Sequence, residues 1–291
     1  MRLSLDALLN KPDNQDLALL PGLCCQAAGG NGLETNPITA AWLTCYAAAR
    51  IMDSVEDRDE PDGWWAENGP ARAISAATGL YFTANLALGR LDLTLDDPLR
   101  SYQIRDGMLN RFLEMSSGQH LDLSLPQPSL DQYWRIAQGK SGAFFEMACW
   151  AGARLASDQP EVLEGFRQYG RQVGLMIQML DDLKDMQWLD EQKPGLDLKG
   201  LTRSLPVVFV LEVCTEMERE AFRGLLEKAS PQPEDLSAIT QIIESNGGGF
   251  YLLTELDLHR QLALDGLEQA QALPPARGLL EALVDHLYIP T

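Results

Sequence analysis

What this 291-residue sequence lacks narrows its chemistry. It has no run of eighteen or more uncharged apolar residues, so no segment reads as a membrane span. The opening MRLSLDALLNKPDNQD carries one early Arg and no apolar stretch of signal-peptide length, which leads to an expectation of a cytoplasmic location. Cysteine is scarce and odd in number: Cys24, Cys25, Cys45, Cys149 and Cys214 lie in apolar stretches without zinc-type spacing, and read as reduced core thiols. The largest shortage is positive charge. Against 42 Asp and Glu stand 23 Lys and Arg, a formal net charge of −19. Such a chain repels phosphate backbones, which argues against nucleic-acid binding. It repels a diphosphate too, so any phosphate chemistry here must recruit metal cations.

Strand signals are also nearly absent. Alternating Val, Ile and Thr runs bounded by turn dipeptides do not recur. Helical periodicity dominates instead, as in ITAAWLTCYAAARIMDSVEDRDE and GFRQYGRQVGLMIQMLDDLKDMQWLDE. VVFVLEV (207–213) has strand-like composition, but it follows Pro206 and leads into TEMEREAFRGLLEKA, so a buried helix is expected. Pro, Gly and Asn cluster at 29–37, 60–70, 124–131, 192–200, 230–235, 245–249 and 273–278. None of these breaks is long or polar enough to be a flexible linker, and no internal repeat is present. The expectation is one all-α domain over residues 1–291, a large helical bundle.

Two acidic clusters stand out. In DSVED (53–57), Asp53 and Asp57 are four apart and share one helix face; in DDLKD, Asp181 and Asp185 repeat that spacing and flank Asp182. Like charges so spaced cost a helix roughly 0.2–0.5 kcal/mol per pair. A hard divalent cation compensates, and magnesium prefers carboxylate oxygens while bridging to substrate phosphates. A solvated acidic face is the alternative for DSVED. DDLKD follows the apolar GLMIQML, whose one polar residue is Gln178, and is harder to dismiss as surface. Two such clusters facing across a bundle cavity would hold a metal cluster, bind a diphosphate and stabilise its departure by charge neutralisation.

At this point the chain resembles the trans-isoprenyl (polyprenyl) diphosphate synthase family. The landmarks occur in family order: DSVED (53–57), GQHLDL (118–123), Tyr133 followed by QGKSGAFFEMACWAGA (138–153), GLMIQMLDDLKD (174–185), KPGLDLKGLTRSLPV (193–207) and the terminal LEQAQALPPARGLLEALVDHLY. The resemblance implies an isoprenoid-synthase helical fold with a central cavity, three magnesium ions and a homodimer. It implies that Asp53 and Asp57 hold two ions and that Asp181 holds the third, with Asp182 and Asp185 supporting. Lys140 and Lys193 would contact an allylic isoprenyl diphosphate; Gln178, Ser141, Gln119 and Asp122 would assist. Arg50, one turn before Asp53, is a further candidate for the diphosphate, with a salt bridge to the acidic face as its alternative role.

Departures from the family bear on the reaction. A basic segment that the family carries before its first motif corresponds to DLALLPG (16–22), where Pro21 keeps its place but Leu17, Ala18 and Leu20 replace cations. The Arg-Arg-Gly after the first motif is replaced by RDEPDGWWAENGP, in which Arg58 alone is basic; Trp64 and Trp65 there read as loop packing. The loop Lys before Leu-Pro falls at Thr202, with Arg203 adjacent, and Ser54 and Met52 replace a motif Asp and the preceding His. Losing several charge-assisted contacts of about 1.5–3 kcal/mol each would remove most affinity for isopentenyl diphosphate. The expectation is therefore ionisation of an allylic diphosphate with release of a terpene hydrocarbon or alcohol. The alternatives are a chain-elongating prenyltransferase whose acceptor site uses Arg58, Arg72 or Arg203, a transfer to another acceptor, and a silent regulatory subunit. The small Ala47, Ala48 and Ala49 lead to an expectation of room for a tail of at least fifteen carbons.

Overall fold

The structure, a computed structural model, describes residues 18–57, 68–190, 198–228 and 230–288, and every regular element among them is helical. The elements are α1 (Leu20–Ala27), a 3-10 turn (Gly32–Thr35), α2 (Asn36–Asp57), α3 (Pro70–Leu88), α4 (Leu91–Thr94), α5 (Pro98–Ser124), α6 (Leu130–Ala137), a π-turn (Gln138–Gly142), α7 (Ala143–Ala156), α8 (Pro160–Asp190), α9 (Leu198–Leu201), α10 (Leu205–Val213), α11 (Glu216–Leu226), α12 (Pro233–Ser245), α13 (Gly248–Gln269) and α14 (Ala276–Tyr288). The all-α expectation is met.

Helix starts follow local chemistry. Ser129 and Gln132 form a reciprocal capping box before α6, and Thr215 and Glu218 do the same before α11, each satisfying two backbone N–H groups that have no partner within the helix. Gly69, at φ 80°, turns the chain into Pro70 at the first position of α3. VVFVLEV is helical, as expected: Leu205, Pro206, Val207, Val208 and Val210 are all buried, and Pro206 sits in the first turn, where its missing N–H costs nothing.

Contacts group the chain into two compact units. The first takes the described residues up to Arg111 with Glu146–Gly170 and Asp265–Leu283. In it α2 packs on α3, where Ala47, Ala48, Ala77 and Leu80 are buried and Ile51, Met52 and Tyr81 pack around them. Ala47 and Ala48, being small, let the two helix backbones approach there. The same unit buries Glu146, whose carboxylate meets Arg111 at 2.8 Å and Arg167 at 4.0 Å. Without such partners a buried carboxylate would cost several kcal/mol, on the order of 3–5 when one partner is removed.

The second unit takes Phe112–Phe145, Arg171–Leu264 and the described residues from Val284. Its core joins Met186 and Leu189 of α8, Val207 and Val210 of α10, Phe222 of α11 and Ile239 of α12. Burying each such side chain contributes about 1.5–3 kcal/mol. This core fixes the α8 segment bearing the second aspartate motif against the start of α10.

Candidate active site

The second unit builds a site around the π-turn. Residues Gln138–Gly142 wind as one wide turn between α6 and α7, carrying Lys140 and Ser141. Insertions of this kind recur at functional sites because they re-aim side chains within a continuing helix. Two glycines let the turn be clasped. A Cβ on Gly118 of α5 would lie 2.7 Å from the Lys140 backbone nitrogen, and one on Gly174 of α8 would overlap the Ser141 carbonyl oxygen. The glycines of GQHLDL and GLMIQML therefore serve the backbone of the Lys140–Ser141 pair directly.

The side chains follow from that clasp. Lys140 Nζ lies 3.1 Å from Asp122 Oδ2, and Arg203 Nη1 lies 3.3 Å from Asp122 Oδ1, so one carboxylate bridges two cations. The Ser141 hydroxyl donates to Gln178 Oε1 at 3.0 Å. Asp181 is three residues beyond Gln178 on α8 and shares its face. Its side chain is 61% exposed, and Lys184 Nζ lies 2.8 Å from its Oδ1. Asp185, one turn on, is half-buried.

Asp182 is placed in the opposite way. It is 5% exposed, and its Oδ2 accepts from the Tyr133 hydroxyl at 2.7 Å and from the Leu205 N–H at 2.8 Å. Burial pushes its carboxyl up to about 7; those two hydrogen bonds oppose the rise, and Asp185 and Asp181 add to it. Expected among the metal-holding carboxylates, Asp182 has an oxygen committed to protein donors and suits the supporting role. It ties the aspartate motif to α6 and to the first turn of α10.

In the first unit, Asp53 is half-buried near the end of α2, Ser54 is buried, and Arg50 is exposed. Tyr81 of α3 lies close enough that Glu56 and Asp53 add to the upward push that burial gives its phenol. The last turn of α2 holds no basic residue, so its carboxylates sit at the negative end of the helix dipole, which also favours a cation there. The Asp57 side chain, Lys193, Arg58, Trp64 and Trp65 lie outside the described residues.

The carboxylates fit magnesium in donor chemistry: hard oxygens, with Asp181 open to solvent. Among the described residues no three His, Cys, Asp or Glu side chains converge into a ready-made cage. Magnesium takes oxygen donors of this kind, keeping several waters and binding through one or two carboxylates plus substrate phosphates.

A family model described as polyprenyl synthetase matches residues 50–243. The chain belongs to the polyprenyl synthetase family. Its members are magnesium-dependent prenyltransferases acting on isoprenyl diphosphates, and this polyprenyl synthetase chain is an enzyme of that class. A geranylgeranyl diphosphate synthase of Mycobacterium tuberculosis is 28% identical over 268 residues, covering 88% of this chain and 75% of that protein. The tryptophan prenyltransferase ComQ of Bacillus subtilis subsp. natto is 30% identical over 142 residues, 46% of this chain and 40% of that protein. In fold, the geranylgeranyl pyrophosphate synthetase of Pyrococcus horikoshii superposes with a TM-score of 0.85 at 20% identity, covering 99% of this chain and 94% of that one.

Within this polyprenyl synthetase, sequence reading singled out Lys140, Ser141, Gln178 and Asp181, and the structure gathers them on the π-turn and α8. It offered Arg203, the neighbour of Thr202, only as one of three arginines for a rebuilt acceptor site. Thr202 is buried and Arg203 reaches Asp122, a difference set by how the turn before α10 winds.

Proposed function

We propose that the protein ionises an allylic isoprenyl diphosphate and transfers the prenyl group to a second substrate. The observation that carries this reading is the Ser141–Gln178 hydrogen bond. It places Asp181, a carboxylate suited to metal, one turn along α8 from the residue bonded beside Lys140, a cation suited to phosphate. Asp53, Asp57, Asp181 and Asp185 would hold the magnesium ions, three in number with diphosphate bound, while Asp182 anchors the motif. Bound magnesium would neutralise the departing diphosphate. Lys140 orients that group, with Lys193 and Arg50 as further contacts. The C1–O bond breaks with both electrons leaving on diphosphate, the π bond of the acceptor captures the allylic cation, and a proton is then lost.

The names of the relatives favour transfer to isopentenyl diphosphate, with growth of the chain, over the terpene release expected from sequence. Terpene release stands as a second reading on two observations: Leu20, at a position where the family carries a cation, is fully buried, and Arg50 is the sole Lys or Arg between residues 18 and 57. Five free, buried cysteines accord with the cytoplasm, and a homodimer is part of the reading. The test is a magnesium-dependent assay with farnesyl and geranylgeranyl diphosphate, each with and without isopentenyl diphosphate. Longer diphosphates formed only with isopentenyl diphosphate are expected. A terpene formed without it, and lost in Asp181→Ala, would replace transfer with release.

A further inference from the structure

We infer that Arg203 is a second diphosphate-binding cation, paired with Lys140 and held ready by Asp122; this rests on the reading that the site takes a diphosphate. Three observations carry it. Lys140 and Arg203 approach different oxygens of one carboxylate, at 3.1 Å and 3.3 Å, so two cations converge on one point of a chain with net charge −19. Convergent cations of this kind are what a multiply charged anion is recognised by. All three side chains are largely shielded yet not closed off, at 24% exposure for Lys140, 14% for Asp122 and 23% for Arg203, so a ligand reaching them meets weakly screened charge.

The second observation is register. Thr202, where the resemblance places a lysine, is buried, whereas Arg203 turns toward Asp122. The cation has moved one residue along the chain, and an arginine suits the new position: its planar fork donates two hydrogen bonds to neighbouring phosphate oxygens, beyond what a point-charge lysine offers.

The third is anchoring. Arg203 stands two residues before Leu205, whose N–H donates to Asp182 at 2.8 Å. The segment 203–205 is thus held by Asp122 from α5 at one end and by Asp182 from α8 at the other. Arg203 is fixed relative to the aspartate motif before any ligand binds, so little ordering cost remains on binding. In this account the diphosphate oxygens take over donors that Asp122 holds in the free protein.

Titration calorimetry of the full chain with inorganic pyrophosphate in magnesium tests this. Arg203→Gln should weaken pyrophosphate binding by about tenfold or more, Arg203→Lys should restore part of it, and Thr202→Lys combined with Arg203→Gln should not, because position 202 faces inward. Thermal unfolding midpoints serve as the control for folding. Normal wild-type binding that Arg203→Gln leaves unchanged would overturn the assignment of Arg203 alone. So would a loss that Arg203→Lys does not relieve while folding is intact, which marks a purely structural arginine. No magnesium-dependent pyrophosphate binding by the wild type would overturn the proposed function as well.

Discussion

The Tyr133 hydroxyl donates to the buried carboxylate of Asp182 at 2.7 Å, and the same oxygen receives the Leu205 N–H, so one atom joins α6, α8 and the start of α10. Removing the hydroxyl leaves a buried carboxylate with one named donor fewer. Tyr133→Phe should therefore lose about 1–3 kcal/mol of stability, and Asp182→Ala, which strands both donors, should lose more. Urea unfolding followed by far-UV circular dichroism reads this. An unchanged midpoint in Tyr133→Phe would show that the hydrogen bond adds nothing.

The clasp on the π-turn makes a sharper contrast. Gly174→Ala would push a methyl group into the Ser141 carbonyl oxygen, backbone that cannot swing aside, so α8 or the turn must shift. Gly224, on the exposed face of α11, has nothing within 4 Å of the corresponding position. Gly224→Ala should stabilise by up to about 1 kcal/mol through helix propensity, while Gly174→Ala should destabilise and cut turnover at least about tenfold by displacing Lys140 and Ser141. Equal behaviour of the two variants, by melting and by diphosphate release, would sink the role given to the clasp.

Much of this site was legible because its residues are specified locally. Apolar periodicity marked the helices, and the four-residue spacing of Asp181 and Asp185 marked a shared face. What escaped depends on contacts distant in sequence. Nothing in LTRSLP says that Thr202 turns inward and Arg203 outward; that follows from how the turn before α10 winds, with Leu205 fastened to a carboxylate 23 residues earlier. A glycine in a helix likewise reads only as a weak point until the element crossing it is known, as at Gly118 and Gly174.

His259 gives a pH signature to the second unit. Its Nδ1 pairs with Gln172 Oε1 and its ring lies 5.2 Å from Trp134, and burial lowers its pKa from 6.5 to about 4 even with Glu255 3.9 Å away. The unfolded chain binds this proton near pH 6.5 and the folded chain only near pH 4. Stability from this residue is thus full above pH 6.5 and is lost progressively as pH falls toward 4, with a ceiling of about 3 kcal/mol. His259→Gln should flatten the pH dependence of the urea midpoint across that window. The same slope in both proteins would assign the dependence to other groups.

The exposed side of α3 bears on assembly. Thr78, Phe82 and Leu86 recur every four residues, and Phe82 and Leu86 are 68% and 73% exposed. Arg72 is the only charged residue in the helix. Two copies of a chain with net charge −19 repel, so a surface on which they meet has to be both apolar and free of carboxylates. This face of α3 meets both conditions and is the contact predicted for the proposed homodimer. Sedimentation velocity should give a dimer for the wild type at micromolar concentration and a monomer for Phe82→Glu/Leu86→Glu, with far-UV circular dichroism unchanged. A wild-type monomer would end the dimer reading. A variant that remains dimeric would move the contact to another face, since two glutamates per copy at the centre of an isologous interface add four unpaired charges to a desolvated patch, each costing several kcal/mol.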